Sequence, residues 1–297
     1  MRRHPLFKPY LALVAVCFLW GTTYLGIRMA LETFPPFTLV SVRYIISGTL
    51  TLMFGLAKGM HMPRGRDLAV ACFSGLLVLG VGNGTLALAE TMIASGLAGL
   101  ILTMQPFWFV GFEALLPGGE RLHGPTVGAM ALGLAGACLL VLPDLGPNAA
   151  NHNKLTGMMV LGIGMAGWCF GSIYQRRKSG LAHPVIAGGV QQLAAGLALV
   201  PLAAAVPHPV YWSARGVGAL FYLVIFGSLA GYSAYVYAMD RLPVAIVSIY
   251  PYINAVVAVT LGWLFYREPF GLREALATVV IFVAVTLVKR FSRRAAG

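Results

Sequence analysis

Charge is what this chain has least of. Only 10% of its 297 residues are Asp, Glu, Lys or Arg, where a soluble domain averages about 25%. The sequence cannot cover a globular surface with polar groups, so a water-soluble fold is excluded. Chemistry-bearing clusters are missing as well. All six histidines (His4, His61, His123, His152, His183, His208) fall in the N-terminal tail or in loops. The apolar runs hold no pairs of acidic residues at metal-ligand spacing. An intramembrane enzyme needs a convergent nucleophile, base or metal within the spans, so no catalytic residue, metal or cofactor is expected. The four cysteines (Cys17, Cys72, Cys138, Cys169) sit in different apolar runs without a CxxC pair, which reads as buried free thiols. No filter-like motif or ring of charges suggests an ion channel.

What the chain does have is hydrophobicity, at 59% of residues. Ten apolar runs stand out, at about 9–30, 36–57, 67–89, 93–116, 125–142, 155–174, 184–205, 215–238, 243–266 and 271–289. Each suffices for a helix of about 30 Å across a bilayer. The breaks carry helix-stopping chemistry, as in "TFPPF", "LPGGERLHGP" and "LPDLGPNAANHN". The start, "MRRHPLFKPYLALVAVCF", imitates a signal peptide, but its apolar stretch continues to about Ala30 with no small-residue cleavage site; an uncleaved first span is expected.

The net charge of +12 does not point to nucleic acid once it is placed along the chain. Arg2, Arg3, Lys8, Lys58, Arg64, Arg66, Arg121, Arg176, Arg177, Lys178, Arg241, Lys289, Arg290, Arg293 and Arg294 fall on one side. Arg28, Lys154, Arg215, Arg267 and Arg273 fall on the other, and Arg43 is left inside a span. That bias puts both termini in the cytoplasm, with the membrane crossed many times between them.

The two halves also match. "FLWGTTY" (18–24) aligns with "WCFGSIY" (168–174), and "PFTLVSVRYIISG" (36–48) with "PVIAGGVQQLAAG" (184–196). "SGLAGLILTMQPFW" aligns with "DRLPVAIVSIYPYI", pairing Pro106 with Pro251, and "GERLHG" with "REPFG", pairing Glu120 with Glu268. The offsets all lie between 145 and 150 residues, the signature of an internal duplication with halves at 1–146 and 147–297. Five spans per half is an odd number, so the second copy enters the membrane from the opposite face. The expected fold is an all-α membrane protein with ten transmembrane helices, arranged as two inverted five-helix repeats around a central cavity. A proline inside each fourth span, Pro106 and Pro251, is expected to bend its helix around that cavity, because irregular backbone survives in hydrocarbon only where it faces protein or water.

Two five-span copies, "LWGTTY" in the first span, "VRYIISG" in the second and "ALAETMIASGLAGLILTMQPFW" leading into the fourth together resemble the EamA-type branch of the drug/metabolite transporter superfamily over nearly the whole chain. Similar proteins export amino acids and related metabolites from bacteria. The resemblance implies a cavity made by the third, fourth, eighth and ninth spans with the first and sixth, and implies that Gln105 and Trp168 face substrate. Exporters selective for aromatic cargo carry an aromatic residue where this chain has Gln105, so aromatic specificity is not implied.

Polar residues inside the spans complete the candidate site. Asn83 and Asn254 cannot face lipid without leaving donors and acceptors unpaired, at a cost of a few kcal/mol; each meets either cargo or a neighbouring helix. Gln191 and Gln192 align with Arg43 and Tyr44, which favours a shared structural role. Trp20, Tyr24, Trp168, Tyr232, Tyr235 and Tyr250 are the remaining candidates for binding. Of these, Trp168, Tyr232 and Tyr250 are expected on the cavity wall, and Trp108 and Tyr252 are expected to pack outward. Arg43 lies about 10 Å inside its span; it binds a substrate carboxylate, pairs with Glu90, or snorkels out. Glu113 and Asp240 lie near cytoplasmic ends, so no midplane carboxylate supports proton coupling and facilitated diffusion is favoured. Glycines in "GAMALGLAGA" and "GIGMAGWCFG" read as helix packing.

The sequence therefore describes an exporter of amino acids and similar metabolites, working by alternating access, in contact with lipid and with no nucleic-acid partner. One chain holds both repeats, so a monomer suffices. A multidrug exporter of lipophilic cations is the main alternative and calls for a more acidic cavity. An exchanger of anionic sugars or phosphates calls for several buried basic residues, where only Arg43 qualifies.

Overall fold

The computed structural model of the chain describes residues 7–117, 124–141, 149–178, 180, 182–205, 210–242, 244–247, 250–268 and 270–295. Among these residues every regular element is helical. In chain order they are α1 (Phe7–Ala30), α2 (Pro36–Ala57), α3 (Gly65–Gly75), a π-helical segment π1 (Leu76–Asn83), α4 (Gly84–Ala89), α5 (Ser95–Leu102), α6 (Gln105–Leu115), α7 (Gly124–Val141) and α8 (Ala149–Lys178). Then come α9 (Pro184–Ala205), α10 (Ala214–Tyr222), a second π-helical segment π2 (Leu223–Tyr232), α11 (Ser233–Arg241), α12 (Val244–Val247), α13 (Tyr250–Tyr266) and α14 (Leu272–Ala295).

Seven helical stretches among the described residues are long and apolar enough to cross a membrane, three of them continuous through a π-segment or a break: Gly65–Ala89, Ser95–Leu115 and Ala214–Arg241. The expected spans at 125–142, 243–266 and 271–289 coincide with α7, α12–α13 and α14, which fall outside those seven. Large apolar side chains such as Phe18, Met53, Ile163 and Trp263 are exposed on the outer surface, which only an apolar solvent accommodates. This is a membrane protein.

α2 and α9 lie closely against one another. They can approach so closely because each presents a glycine. A Cβ on Gly48 would stand 2.6 Å from the Leu193 nitrogen, and one on Gly196 would stand 2.7 Å from the Ile45 nitrogen. Between them the Ser41 hydroxyl donates to the Gly196 carbonyl at 2.8 Å. Around this pair, α1 packs on α13, α10, α11 and π2, and α8 on π1, α3, α4 and α6. The small-residue stretch in α8 serves the second contact: Cβ atoms on Gly167 and Gly171 would collide with Val81 and with Leu77 and Val78. Gly162 in the same stretch faces open space, so it takes no part in packing.

Two arginines tie helix ends together at opposite ends of the bundle. Arg28, at the end of α1, donates to the Glu90 carbonyl at 2.5 Å. Arg176, near the end of α8, donates to the carbonyls of Leu242 at 2.8 Å and Met239 at 3.2 Å. Each thereby satisfies the otherwise unpaired carbonyls at the end of a neighbouring helix. Glu268 performs the converse service. Its carboxylate accepts from the Ser95 N–H at 3.0 Å, the Ser95 hydroxyl at 2.8 Å and the Gly96 N–H at 2.8 Å, capping the start of α5. Arg267 turns the chain towards it with a left-handed backbone (φ 50°). The residue expected to correspond to Glu268, Glu120, lies outside the described residues, as do positions 118–123 and the proposed boundary at 146 and 147.

Pro106 does not bend a continuous helix. α5 ends at Leu102, and α6 restarts at Gln105 with Pro106 in its first turn. There a missing N–H costs nothing, because the first N–H groups of a helix have no intrahelical acceptor. Pro251 lies in α13 just beyond positions 248 and 249, which are outside the described residues, so the bend expected there falls outside what the structure describes.

Candidate functional site

A central cavity opens where π1 and π2 face α1, α2, α6, α8 and α13. It offers about 50 Å³ to the centres of water-sized spheres, within an envelope of about 560 Å³. That is room for a few waters, at about 10–15 Å³ each by the same measure. The π-segments set much of its wall: Leu79, Gly82 and Asn83 come from π1, and Gly227 and Tyr232 from π2. A π-turn inserts one residue into the helical repeat and so re-aims every side chain beyond it. Glycine is needed at 82, 227 and 231, where a Cβ would stand 2.9 Å from Trp168, 2.6 Å from Arg43 and 2.5 Å from Trp20.

Eight of the ten candidate residues line the cavity: Trp20, Tyr24, Arg43, Asn83, Gln105, Trp168, Tyr232 and Tyr250. Gln105 and Tyr250, the residues that immediately precede the two prolines, meet across it. The Tyr250 hydroxyl donates to Gln105 Oε1 at 2.8 Å. Trp20 is the hub of the aromatic wall, with ring centroids 5.3 Å from Trp168, 5.0 Å from Tyr235 and 5.2 Å from Tyr250. Its Nε1–H donates to the Gly227 carbonyl of π2 at 2.9 Å.

Two of the candidates for binding lie behind the wall, and for Asn254 this is the neighbouring-helix alternative. Tyr235 is buried, with its hydroxyl 2.8 Å from Ser172 Oγ and accepting from Trp168 Nε1 at 3.2 Å. It orients Trp168 and does not reach the cavity. The Asn254 carboxamide is also fully buried; with its nitrogen towards the carbonyls it donates to Cys17 at 2.6 Å and Tyr250 at 3.1 Å. It fastens α13 to α1. Trp108 is on the outer surface, and Tyr252 packs edge-on against Phe282 of α14 at 5.1 Å, both directed away from the cavity as expected.

Arg43 does not pair with Glu90 and does not snorkel. It is 4% exposed, and its Nε donates to Ser228 Oγ of π2 at 2.8 Å. Its guanidinium lies 5.0 Å from the centre of the Tyr44 ring, a cation–π contact. Gly227 makes room for it, since a Cβ there would stand 2.6 Å from Nη2. Among the described residues no carboxylate forms an ion pair with it. Sequence reasoning missed Ser228, Tyr44 and Gly227. A lone serine and glycine in "LVIFGSLAGY" look like packing residues, and only the rotation of π2 turns them to Arg43.

A second cavity, of about 230 Å³ by the same measure, lies at the end of the bundle that holds Arg176. It is lined by Asp67, Ser172, Gln175, Arg176, Gln191 and Asp240, among others. A polar layer separates it from the central one. Tyr232 donates to Gln191 Oε1 at 2.8 Å, and Gln191 Nε2 donates to Ser74 at 3.0 Å. The glutamine assigned a structural role thus holds a partition between two spaces.

Glu90, in the turn just beyond the apolar stretch Gly65–Ala89, is fully buried and neither carboxylate oxygen has a hydrogen-bond partner. Burial pushes its carboxyl well above the usual carboxylate range; Arg28 pulls it down and Glu268 pushes it further up. The folded state therefore binds a proton that the unfolded chain releases near its ordinary value of 4.5. Stability falls as pH rises above that value. Glu90→Gln, which cannot ionise, is expected to raise Tm at pH 7.5 by about 2–4 °C, the equivalent of about 1 kcal/mol. The gain should vanish towards pH 4.5 in a detergent thermal-unfolding series. A difference that does not change with pH would show that the carboxyl is not protonated in the folded protein.

Comparison with known proteins places this geometry in context. The sequence pattern of the EamA-like transporter family matches residues 7–142 and again 155–290. The chain is 35% identical over 291 residues to the protein named "Uncharacterized inner membrane transporter YedA" of Escherichia coli (strain K12), covering 97% of this chain and 92% of that one. It is 25% identical over 171 residues to a "Probable amino-acid metabolite efflux pump" of the same strain, covering 56% of this chain and 52% of that one. A protein of known crystal structure superposes with a TM-score of 0.70 at 21% identity, covering 96% of this chain and 98% of that one.

Proposed function

The chain belongs to the EamA-like transporter family, and on that premise we propose that it exports amino acids and related small metabolites by alternating access through the central cavity. It is a multi-pass inner-membrane protein. In this reading ten spans form two inverted five-helix repeats, 1–146 and 147–297, with both termini in the cytoplasm. The double family match supports the duplication. So does the spacing of corresponding features: π1 and π2, the Gln105–Pro106 and Tyr250–Pro251 pairs, and the helix-end arginines Arg28 and Arg176 each recur about 145 to 148 residues apart. The orientation rests on the Lys and Arg bias.

The observation that carries the reading is the chemistry of the cavity wall. Among the described lining residues are carboxamides, phenols, indoles and one guanidinium, and no acid. Such a wall suits zwitterions and polar metabolites and repels a lipophilic cation, which disfavours the drug-export alternative. The probable amino-acid metabolite efflux pump among the relatives points to the same cargo class. The cavity in its present form is too small for a whole amino acid, so loading requires its walls to part. The cavity beside Asp67 and Asp240 is then the cytoplasmic approach, and the Tyr232–Gln191–Ser74 layer is the barrier that opens to it.

The test is flux from liposomes carrying the purified protein. With labelled amino acids inside, efflux is expected to exceed that of protein-free vesicles and to saturate with load. Labelled lipophilic cations are expected to leave no faster than from the empty vesicles. Cation efflux faster than amino acid efflux would reverse the assignment.

A further inference from the structure

The cavity also distinguishes which end of an amino acid matters. We propose that the obligatory group of the cargo is a single carboxylate, held by Arg43, and that the ammonium group is dispensable; monocarboxylates and N-acylated amino acids are then cargo or competitors. This rests on the exporter reading above and goes one step beyond it.

The argument begins with an unbalanced charge. Arg43 is buried at 4% exposure on the cavity wall. Ser228 takes only its Nε–H, and among the described residues nothing accepts from Nη1 or Nη2. A guanidinium shut away from water without a counter-ion costs several kcal/mol, and a chain keeps it where the missing anion arrives with a ligand. The two Nη groups form the fork that matches a carboxylate in bidentate fashion. Ser228 and the Tyr44 ring hold the fork in position, so little side-chain entropy is lost on binding. One fixed positive charge balances one negative charge; a phosphate dianion would leave a second one unpaired in a wall of indoles and phenols.

The opposite is true for an ammonium group. No acid lines the cavity among the described residues. Gln105 Oε1 already accepts from Tyr250. What the wall offers an ammonium, such as the Asn83 carboxamide, the Thr23 and Tyr24 hydroxyls and the aromatic faces, is all neutral and equally able to take an acyl amide or a methylene. The wall therefore reads the carboxylate strictly and the amine loosely.

Intrinsic tryptophan fluorescence reports binding directly, since Trp20 and Trp168 line the cavity. The detergent-purified full chain is titrated with leucine, N-acetylleucine, 4-methylpentanoate, 3-methylbutylamine and inorganic phosphate. N-acetylleucine and 4-methylpentanoate are expected to bind within about tenfold of leucine, and 3-methylbutylamine at least about 30-fold more weakly. Arg43→Gln is expected to weaken the carboxylates by about 30-fold or more, and Arg43→Lys by less. Both variants are checked for wild-type thermal unfolding; if Arg43→Gln fails to fold, the ligand series on the unmodified protein and Arg43→Lys decide. The inference fails if the amine binds as well as 4-methylpentanoate, if phosphate binds more tightly than the carboxylates, if none of the carboxylates binds, or if folded Arg43→Gln keeps its affinity for leucine. Saturable amino acid efflux from the liposomes alongside any of these outcomes would overturn the carboxylate assignment and leave the exporter reading standing.

Discussion

Gly48→Val and Gly196→Val are each expected to abolish transport and to lower Tm. The Cβ added at Gly48 would lie 2.6 Å from the Leu193 nitrogen and 3.0 Å from its Cα; at Gly196 it would lie 2.7 Å from the Ile45 nitrogen and 3.0 Å from the Ser41 carbonyl. These neighbours are backbone, which cannot swing aside as a side chain can. Overpacking of this kind costs about 1–3 kcal/mol and occasionally more. Here the strain has a second consequence. α2 carries Arg43 five residues before Gly48, and α9 carries Gln191 five residues before Gly196, so separating the two helices displaces both the cavity cation and the Tyr232–Gln191 partition. Gly162→Val is the control, because that position has nothing within 4 Å. Size-exclusion profiles, thermal midpoints and liposome efflux of the three variants make the comparison. Wild-type Tm in Gly48→Val would mean that α2 and α9 are not in close contact.

Trp20→Ala is expected to have the largest effect among the cavity residues. The indole is 8% exposed and contacts the rings of Trp168, Tyr232, Tyr235 and Tyr250. Truncating a buried tryptophan costs about 3–5 kcal/mol, and it also frees the Gly227 carbonyl, which Trp20 Nε1–H otherwise satisfies. That carbonyl belongs to π2, next to Ser228, the residue that holds Arg43. Trp20→Ala should therefore reduce both Tm and cargo affinity. Trp20→Phe separates the two causes: it keeps most of the ring packing and loses the hydrogen bond, for an expected cost of about 1 kcal/mol. If Trp20→Phe proves as damaging as Trp20→Ala, the bond to π2 outweighs the aromatic packing; if Trp20→Ala leaves Tm within a degree or two of wild type, the aromatic hub is not structural.

Some of the site was legible residue by residue. Trp168, Tyr232 and Tyr250 line the cavity as aromatic groups near span centres predict, and Gln105 does so as the family resemblance implies. Tyr235 and Asn254 carry the same signal and lie behind the wall. The reason is that a buried polar group must find a partner, and sequence does not say whether the partner is cargo, water or a neighbouring helix. Tyr235 found Ser172, and Asn254 found the Cys17 carbonyl. The prolines suggest bends from their place in the apolar runs, and Pro106 proves to lie in the first turn of a helix. A proline signals a lost donor, and a helix start absorbs that loss at no cost.

Sequence alone determined what depends on order along the chain. The apolar lengths make it a membrane protein, the segment matches suggest two copies, and the placement of Lys and Arg suggests an orientation. These are properties of solvent transfer and of local composition, so they survive without coordinates. Tertiary structure decided which side chains meet. Arg43 and Ser228 are 185 residues apart, and Trp20 and Gly227 are 207 apart. Each contact depends on the rotation of a helix about its own axis. One residue of register turns a helical face by about 100°, and the two π-segments introduce such shifts where a hydropathy pattern cannot register them.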